Sequence, residues 1–245
     1  MNASGGSAVA GLWRESLAES LLWSPVNDPA RPPAGHVAPS WSWASVDGPV
    51  TWRRNSHALH GGENARRVLE VVSVTYEEPD TSSEDGDAQP SAVLKVRGYM
   101  VGTCIRWKVP DEGGMPPVYE LASIPSVFME ERERTVMVPD VTLMPKSWGT
   151  GAGEADLIEP TEAGPYYATM SASRADGGGA DRTWIGRCAL LMAAVNGPAA
   201  IGLVLGSSPR RAGAWERLGV TTNLGIHGFA TRAWSNSAKQ EVEIV

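Results

Sequence analysis

The run Val93-Leu94-Lys95-Val96-Arg97-Gly98-Tyr99-Met100-Val101-Gly102-Thr103-Cys104-Ile105-Arg106-Trp107-Lys108-Val109 restricts the choice of fold more than any other stretch. It is rich in β-branched and aromatic residues, and Leu94, Val96 and Gly98 alternate with Lys95, Arg97 and Tyr99. A period of two belongs to a strand whose faces meet different surroundings. The run predicts one long strand, or two bent at Gly98 or Gly102, since an interior glycine marks a bend or bulge. Comparable runs recur at Val68 to Tyr76, Val118 to Ile124, Thr135 to Leu143 and Tyr166 to Met170. Trp184 to Val195 and Ala199 to Leu205 flank the turn Asn196-Gly197-Pro198, and Trp215 to Val220, Gly228 to Trp234 and Glu241 to Val245 follow. Strands at this spacing predict a mainly β chain, a single-domain antiparallel sandwich or barrel over residues 8–245.

The first fifty residues read differently. Residues 1–7 have the composition of a disordered start. Ala10, Trp13, Leu17 and Leu21 then recur every three or four positions among Arg14, Glu15 and Glu19. That spacing predicts one N-terminal amphipathic helix, capped by Ser7 and closed by Pro25. A proline-rich connector, Asn27 to Gly35, leads into Ala38-Pro39-Ser40-Trp41-Ser42-Trp43-Ala44-Ser45. Alternation there predicts a strand with Trp41 and Trp43 on one face. Asp47-Gly48-Pro49 predicts the turn and Val50-Thr51-Trp52 the return strand. Segment 77–90 reads as an acidic solvated loop, and 149–164 and 171–181 as glycine-rich loops.

Charge narrows the partners. A net charge of −7 and a pI near 5.2 argue against nucleic acid or an anionic membrane surface, which call for a basic field. No apolar run reaches the length of a membrane span, and no basic segment precedes an apolar core at the start. A cytoplasmic location is therefore the expectation. Cys104 and Cys188 sit in apolar strand-like runs and read as buried free thiols. Ten Trp stand against two Phe. Either indoles replace Phe in the core, or several of them line a pocket or an interface.

One resemblance carries further. Ala10-Gly11-Leu12-Trp13-Arg14, Leu22-Trp23 and Pro39-Ser40-Trp41-Ser42-Trp43-Ala44-Ser45 with Asp47-Gly48 resemble the segment after the HET domain in fungal heterokaryon-incompatibility proteins. Cys188-Ala189-Leu190-Leu191-Met192, Gly202-Leu203-Val204-Leu205 and Trp215-Glu216-Arg217-Leu218-Gly219-Val220 are similar to the closing part of those proteins. In that family the HET module lies upstream of the Ala-Gly-Leu-Trp element, near which this sequence starts. The resemblance thus implies a fungal, free-standing version of the C-terminal region, to which no activity of the HET module transfers.

Reactive motifs are scarce. There is no P-loop, Gly-x-Gly-x-x-Gly, Gly-x-Ser-x-Gly or His-Glu-x-x-His. His36, His57 and His60 with Glu63 supply metal-ligand residue types at an unspecific spacing, so no metal and no cofactor is assigned. The expected partner is a hydrophobic small molecule, bound by Trp41, Trp43, Trp52, Trp107 and Trp184. Asp47, Arg97, Tyr99 and Arg106 are the candidate polar catalytic anchors. A scaffold of this kind would act by orienting a reactive intermediate of secondary metabolism, as a cofactor-independent cyclase or cycloaddition catalyst. The alternative is a non-catalytic interaction module in incompatibility-type signalling, which requires indoles on an exposed patch.

Overall fold

The computed structural model describes residues 8–26, 38–52, 65–77, 91–109, 118–122, 135–140, 144–145, 158–159, 172–174, 182–196, 199–208, 211–221, 224–225 and 238–245. The chain opens with a tight hairpin, β1 (Ala8–Val9) and β2 (Leu12–Trp13). A short 3-10 turn (Arg14–Ser16), the helix α1 (Leu17–Ser20) and β3 (Ser24–Pro25) follow, and β3 pairs with β4 (Val50–Thr51). The predicted helix is therefore confined to four residues. Ala10 and Gly11 both take positive φ, 47° and 80°, as a two-residue hairpin turn of the primed kind requires. The turn wins over the helical period there because Gly11 adopts that conformation at no steric penalty.

The rest is β. In chain order come β5 (Ala65–Arg67), β6 (Glu70–Glu77), β7 (Ser91–Val109), β8 (Val118–Ala122) and β9 (Thr135–Pro139). The short strands β10 (Met144–Pro145), β11 (Ile158–Glu159) and β12 (Ala172–Arg174) precede β13 (Arg182–Asn196) and β14 (Ala199–Ser207). Then come β15 (Trp215–Thr221), β16 (Leu224–Gly225) and β17 (Lys239–Ile244). The two segments read as glycine-rich loops thus contain β11 and β12, and β12 pairs with β13. The run around Val93 is one unbroken strand. Its first half pairs with β6 and β17, its second with β13 and β8.

The antiparallel pairings β7–β8, β8–β9, β9–β15, β15–β14, β14–β13 and β13–β7 return to their start, so these strands form a partly closed ring. Ile105, Tyr119, Met137, Cys188, Leu190 and Leu218 fill its interior. A ring of so few strands is narrow enough for side chains to fill it. Along β13, Cys188, Leu190 and Met192 belong to this interior, while Ala189, Leu191 and Ala193 belong to a second core. That second core lies beneath the N-terminal segments, which contribute Val9, Leu12, Leu17, Leu21, Leu22 and Trp41. Burial on both faces is why Cys188 to Val195 reads as nearly continuous apolar sequence rather than as an alternation.

Residues 1–7, 27–37, 53–64 and 78–90 lie outside the described residues, and with them His36, His57, His60, Glu63, most of the acidic segment and the proline-rich connector. So do the strands expected at Tyr166 to Met170 and Gly228 to Trp234. Among the described residues no helix is long and apolar enough to cross a membrane.

Candidate functional site

The Pro-Ser-Trp-Ser-Trp-Ala-Ser stretch is a clasp, and its chemistry begins at Ser42. The Ser42 hydroxyl accepts a hydrogen bond from the Ala44 amide at 3.1 Å, capping a 3-10 turn over Trp43–Ser45. A serine bonding to backbone two residues on offers the chain an alternative to a strand, and here the alternative prevails. The expectation that Trp41 and Trp43 share one face is thereby overturned. Trp41 is fully buried and Trp43 is exposed. Nor does 38–45 pair with 50–52 as a hairpin, because β4 pairs with β3 instead.

Ser45 Oγ donates to Ser40 O within the clasp at 3.3 Å, and the other polar side chains reach backbone carbonyls elsewhere. Ser40 Oγ donates to Val245 O and accepts from the Arg217 amide at 2.9 Å. Trp41 Nε1 donates to Ala92 O at 3.3 Å, Ser42 Oγ to Ala10 O at 2.7 Å, and Trp43 Nε1 to Gly11 O at 3.0 Å. Trp52 Nε1 donates to Ser20 O at 3.0 Å. One short stretch thus ties the first hairpin, β7 and the end of β17 together.

Beneath the clasp lies a buried charge cluster that the sequence reading missed. Arg217 and Asp140 are both fully buried, with Arg217 Nη2 3.0 Å from Asp140 Oδ1. The guanidinium also donates to Leu21 O at 3.0 Å and to Trp23 O at 2.6 Å, and it stacks 3.6 Å above the Trp23 ring. Trp23 Nε1 donates in turn to Trp41 O at 3.1 Å. Buried charge demands such pairing, and a flat cation over an indole adds to it. The signal available in the sequence was Glu216-Arg217, two adjacent charges inside an otherwise apolar strand. Both prove buried, with Glu216 bonded by Ser208 Oγ at 2.9 Å.

The predicted site residues are dispersed. Asp47 is exposed and forms an isolated β-bridge just before the bend at Gly48. Arg97 sits on the solvent face of β7, where it pairs with Glu241 and lies 4.0 Å from Glu70. Its hydrogen bond to Glu241 raises the pKa of the guanidinium above its ordinary value. Lys239 pairs with Glu70 and holds the Glu70 carboxyl below its ordinary value. Lys239 also stands 5.7 Å over the ring of half-buried Tyr99.

For Arg106, Trp107 and Trp184 the described feature is backbone register. Trp184 stands opposite Trp107, and Trp107 opposite Tyr119, in one row across β13, β7 and β8. Arg106 takes the adjacent position, opposite Glu120 and Ile185, so positions 106 and 107 fall on opposite faces of β7.

Among the described residues the large apolar side chains that stand exposed are Val71, Val72 and Tyr76 on β6 and four others. Trp13 is 59% exposed, Trp43 and Trp52 38% each, and the neighbouring Val26 48%. All four belong to the N-terminal segments, and the indole N–H groups of Trp43 and Trp52 are already engaged. The Trp43 and Trp52 rings are fixed by these bonds, and all three rings present carbon surface to solvent. Among the described residues no group of three or more His, Cys, Asp or Glu is placed to hold a metal ion. Comparison with protein-family models, with curated proteins and with solved structures finds no match to this chain.

Proposed function

We propose that this chain is a non-catalytic interaction module of the heterokaryon-incompatibility type, engaging a protein partner through the indoles of its N-terminal segments. The observation that carries the reading is the exposure of Trp13, Trp43 and Trp52 on elements that are otherwise firmly anchored. Rigid aromatic rings offer large contact area at little entropic penalty, and interface hot spots are enriched in them. The resemblance to the region after the HET domain supplies the partner, a HET module. Calorimetric titration of purified HET module into this protein tests the reading. The expected result is micromolar or tighter binding that Trp13→Ala weakens by roughly tenfold or more. No heat of binding, or unchanged affinity in Trp13→Ala and Trp43→Ala, would overturn it.

A second reading rests on the aromatic row at positions 184, 107 and 119, near the ends of β13, β7 and β8. An aromatic row suits a hydrophobic small molecule, such as a fungal natural-product intermediate folded for cyclisation without a cofactor. Titration of hydrophobic ligands against Trp fluorescence separates the two. Quenching that Trp107→Phe abolishes and Trp13→Ala leaves intact favours the small molecule.

A further inference from the structure

On the small-molecule reading above, we infer that the row of Trp184, Trp107 and Tyr119 takes an elongated apolar molecule ending in a carboxylate, with Arg174 and Arg182 as the cations that receive the acid group. Register brings these residues together. Arg174 of β12 stands opposite Trp184 of β13, and Trp184 opposite Trp107 of β7. Trp107 stands opposite Tyr119 of β8, and Tyr119 opposite Met137 of β9. Residues opposite one another on paired strands share a face. Arg182 precedes Trp184 by two positions on β13, opposite Val109, and a period of two returns it to that face.

The same face carries the interior core of the ring. Tyr119 and Met137 are buried there with Ile105, two positions before Trp107, and Cys188, four positions after Trp184. The row therefore has its arginines on β12 and β13 and runs across β7 and β8 into apolar surroundings. Three strand spacings of about 4.8 Å make it about 14 Å long from β12 to β8, which suits a long or fused-ring body better than a compact one.

Charge identifies the end group. Elsewhere in the sheet a cation is matched by an acid in register: Lys95 faces Glu243, Arg97 faces Glu241 and Arg106 faces Glu120. Arg174 and Arg182 face Trp184 and Val109 instead. Arg174 closes β12 and Arg182 opens β13, so both stand at strand ends, where a ligand can reach them. A guanidinium fork on an apolar face fits a carboxylate, which it binds through paired, charge-assisted hydrogen bonds. Asp176 and Asp181, in the segment that joins the two strands, lie outside the described residues.

Titration of the intact protein with pyrenebutyrate and with pyrenebutanol, followed by the emission of the probe, tests this assignment. The two probes share an apolar body and differ in the acid group. At neutral pH both are expected to bind, the carboxylate tighter by roughly tenfold or more. Joint substitution Arg174→Gln and Arg182→Gln is expected to bring the two affinities together and to leave that of pyrenebutanol unchanged. Trp184→Leu is expected to weaken both probes alike. Equal binding of the two by the unsubstituted protein, as follows if Asp176 and Asp181 neutralise the arginines, overturns the carboxylate assignment and leaves the small-molecule reading standing. Binding of neither probe overturns both. A carboxylate preference that survives the double substitution, or affinities that Trp184→Leu does not move, overturns the assignment as well.

Discussion

Arg217 shows how much one side chain decides. It carries a fully buried charge satisfied by Asp140, two carbonyls and the face of Trp23. Removing one partner of such a pair leaves the other charge stranded, so Arg217→Met is expected to lose about 3–5 kcal/mol in urea unfolding. The double variant with Asp140→Leu is expected to lose less than the two single losses added together, because neither charge is then left alone. The adjacent charges Glu216-Arg217 were the one hint in the sequence, easily passed over because a charge in a strand ordinarily marks its solvent face. At the surface the signs differ. Glu70 is held below its ordinary pKa of 4.5, first by its hydrogen bond from Lys239 and next by the charge of that same residue. A carboxyl depressed on folding stabilises the native state above its unfolded pKa and ceases to do so as pH falls through the lower folded value. The Glu70 contribution is therefore intact at neutral pH and disappears only below about pH 4.5. In an NMR titration, Lys239→Met is expected to return the Glu70 midpoint toward its ordinary value.

Elements depend on where backbones meet. The ring closes between β9 and β15 through just three residue pairs, one of them Gly219 with Pro139. A Cβ on Gly219 would lie 2.3 Å from Val138 O, a backbone atom with nowhere to go. Gly219→Ala is therefore expected to push the two strands apart and destabilise by about 1–3 kcal/mol, read as a lowered thermal midpoint. The strands themselves were largely legible, because β-branched runs with turn residues between them have few other uses. The clasp was not. Its alternation of Trp and Ser is a period-two pattern, but Ser42 spends its hydroxyl on Ala44 N and turns the chain before Trp43. The helical spacing from Ala10 to Leu21 holds only over its second half, where Leu17–Ser20 is helical, because positive φ at Ala10 and Gly11 sets a hairpin in its first half.

Seen whole, the molecule is a ring with two apolar surfaces, one folded inward and one covered by the N-terminal segments. The mainly β character follows from sequence; the order of the strands does not. β7 changes neighbours halfway along, and no local pattern tells Lys95 to face Glu243 or Cys104 to face Ala122. The scattering of Asp47, Arg97 and Tyr99 from the aromatic row has the same origin, since residues close in sequence reach different parts of the sheet. One bond of the clasp bears on how such a chain is made. Ser40 meets its carbonyl partner 205 residues further on. At a synthesis rate of about 5–20 residues per second, that partner leaves the ribosome roughly 10–40 s after Ser40 does. Ala92, which accepts from Trp41 Nε1, lies only 51 residues on, so the clasp is completed in steps that follow the order of the chain.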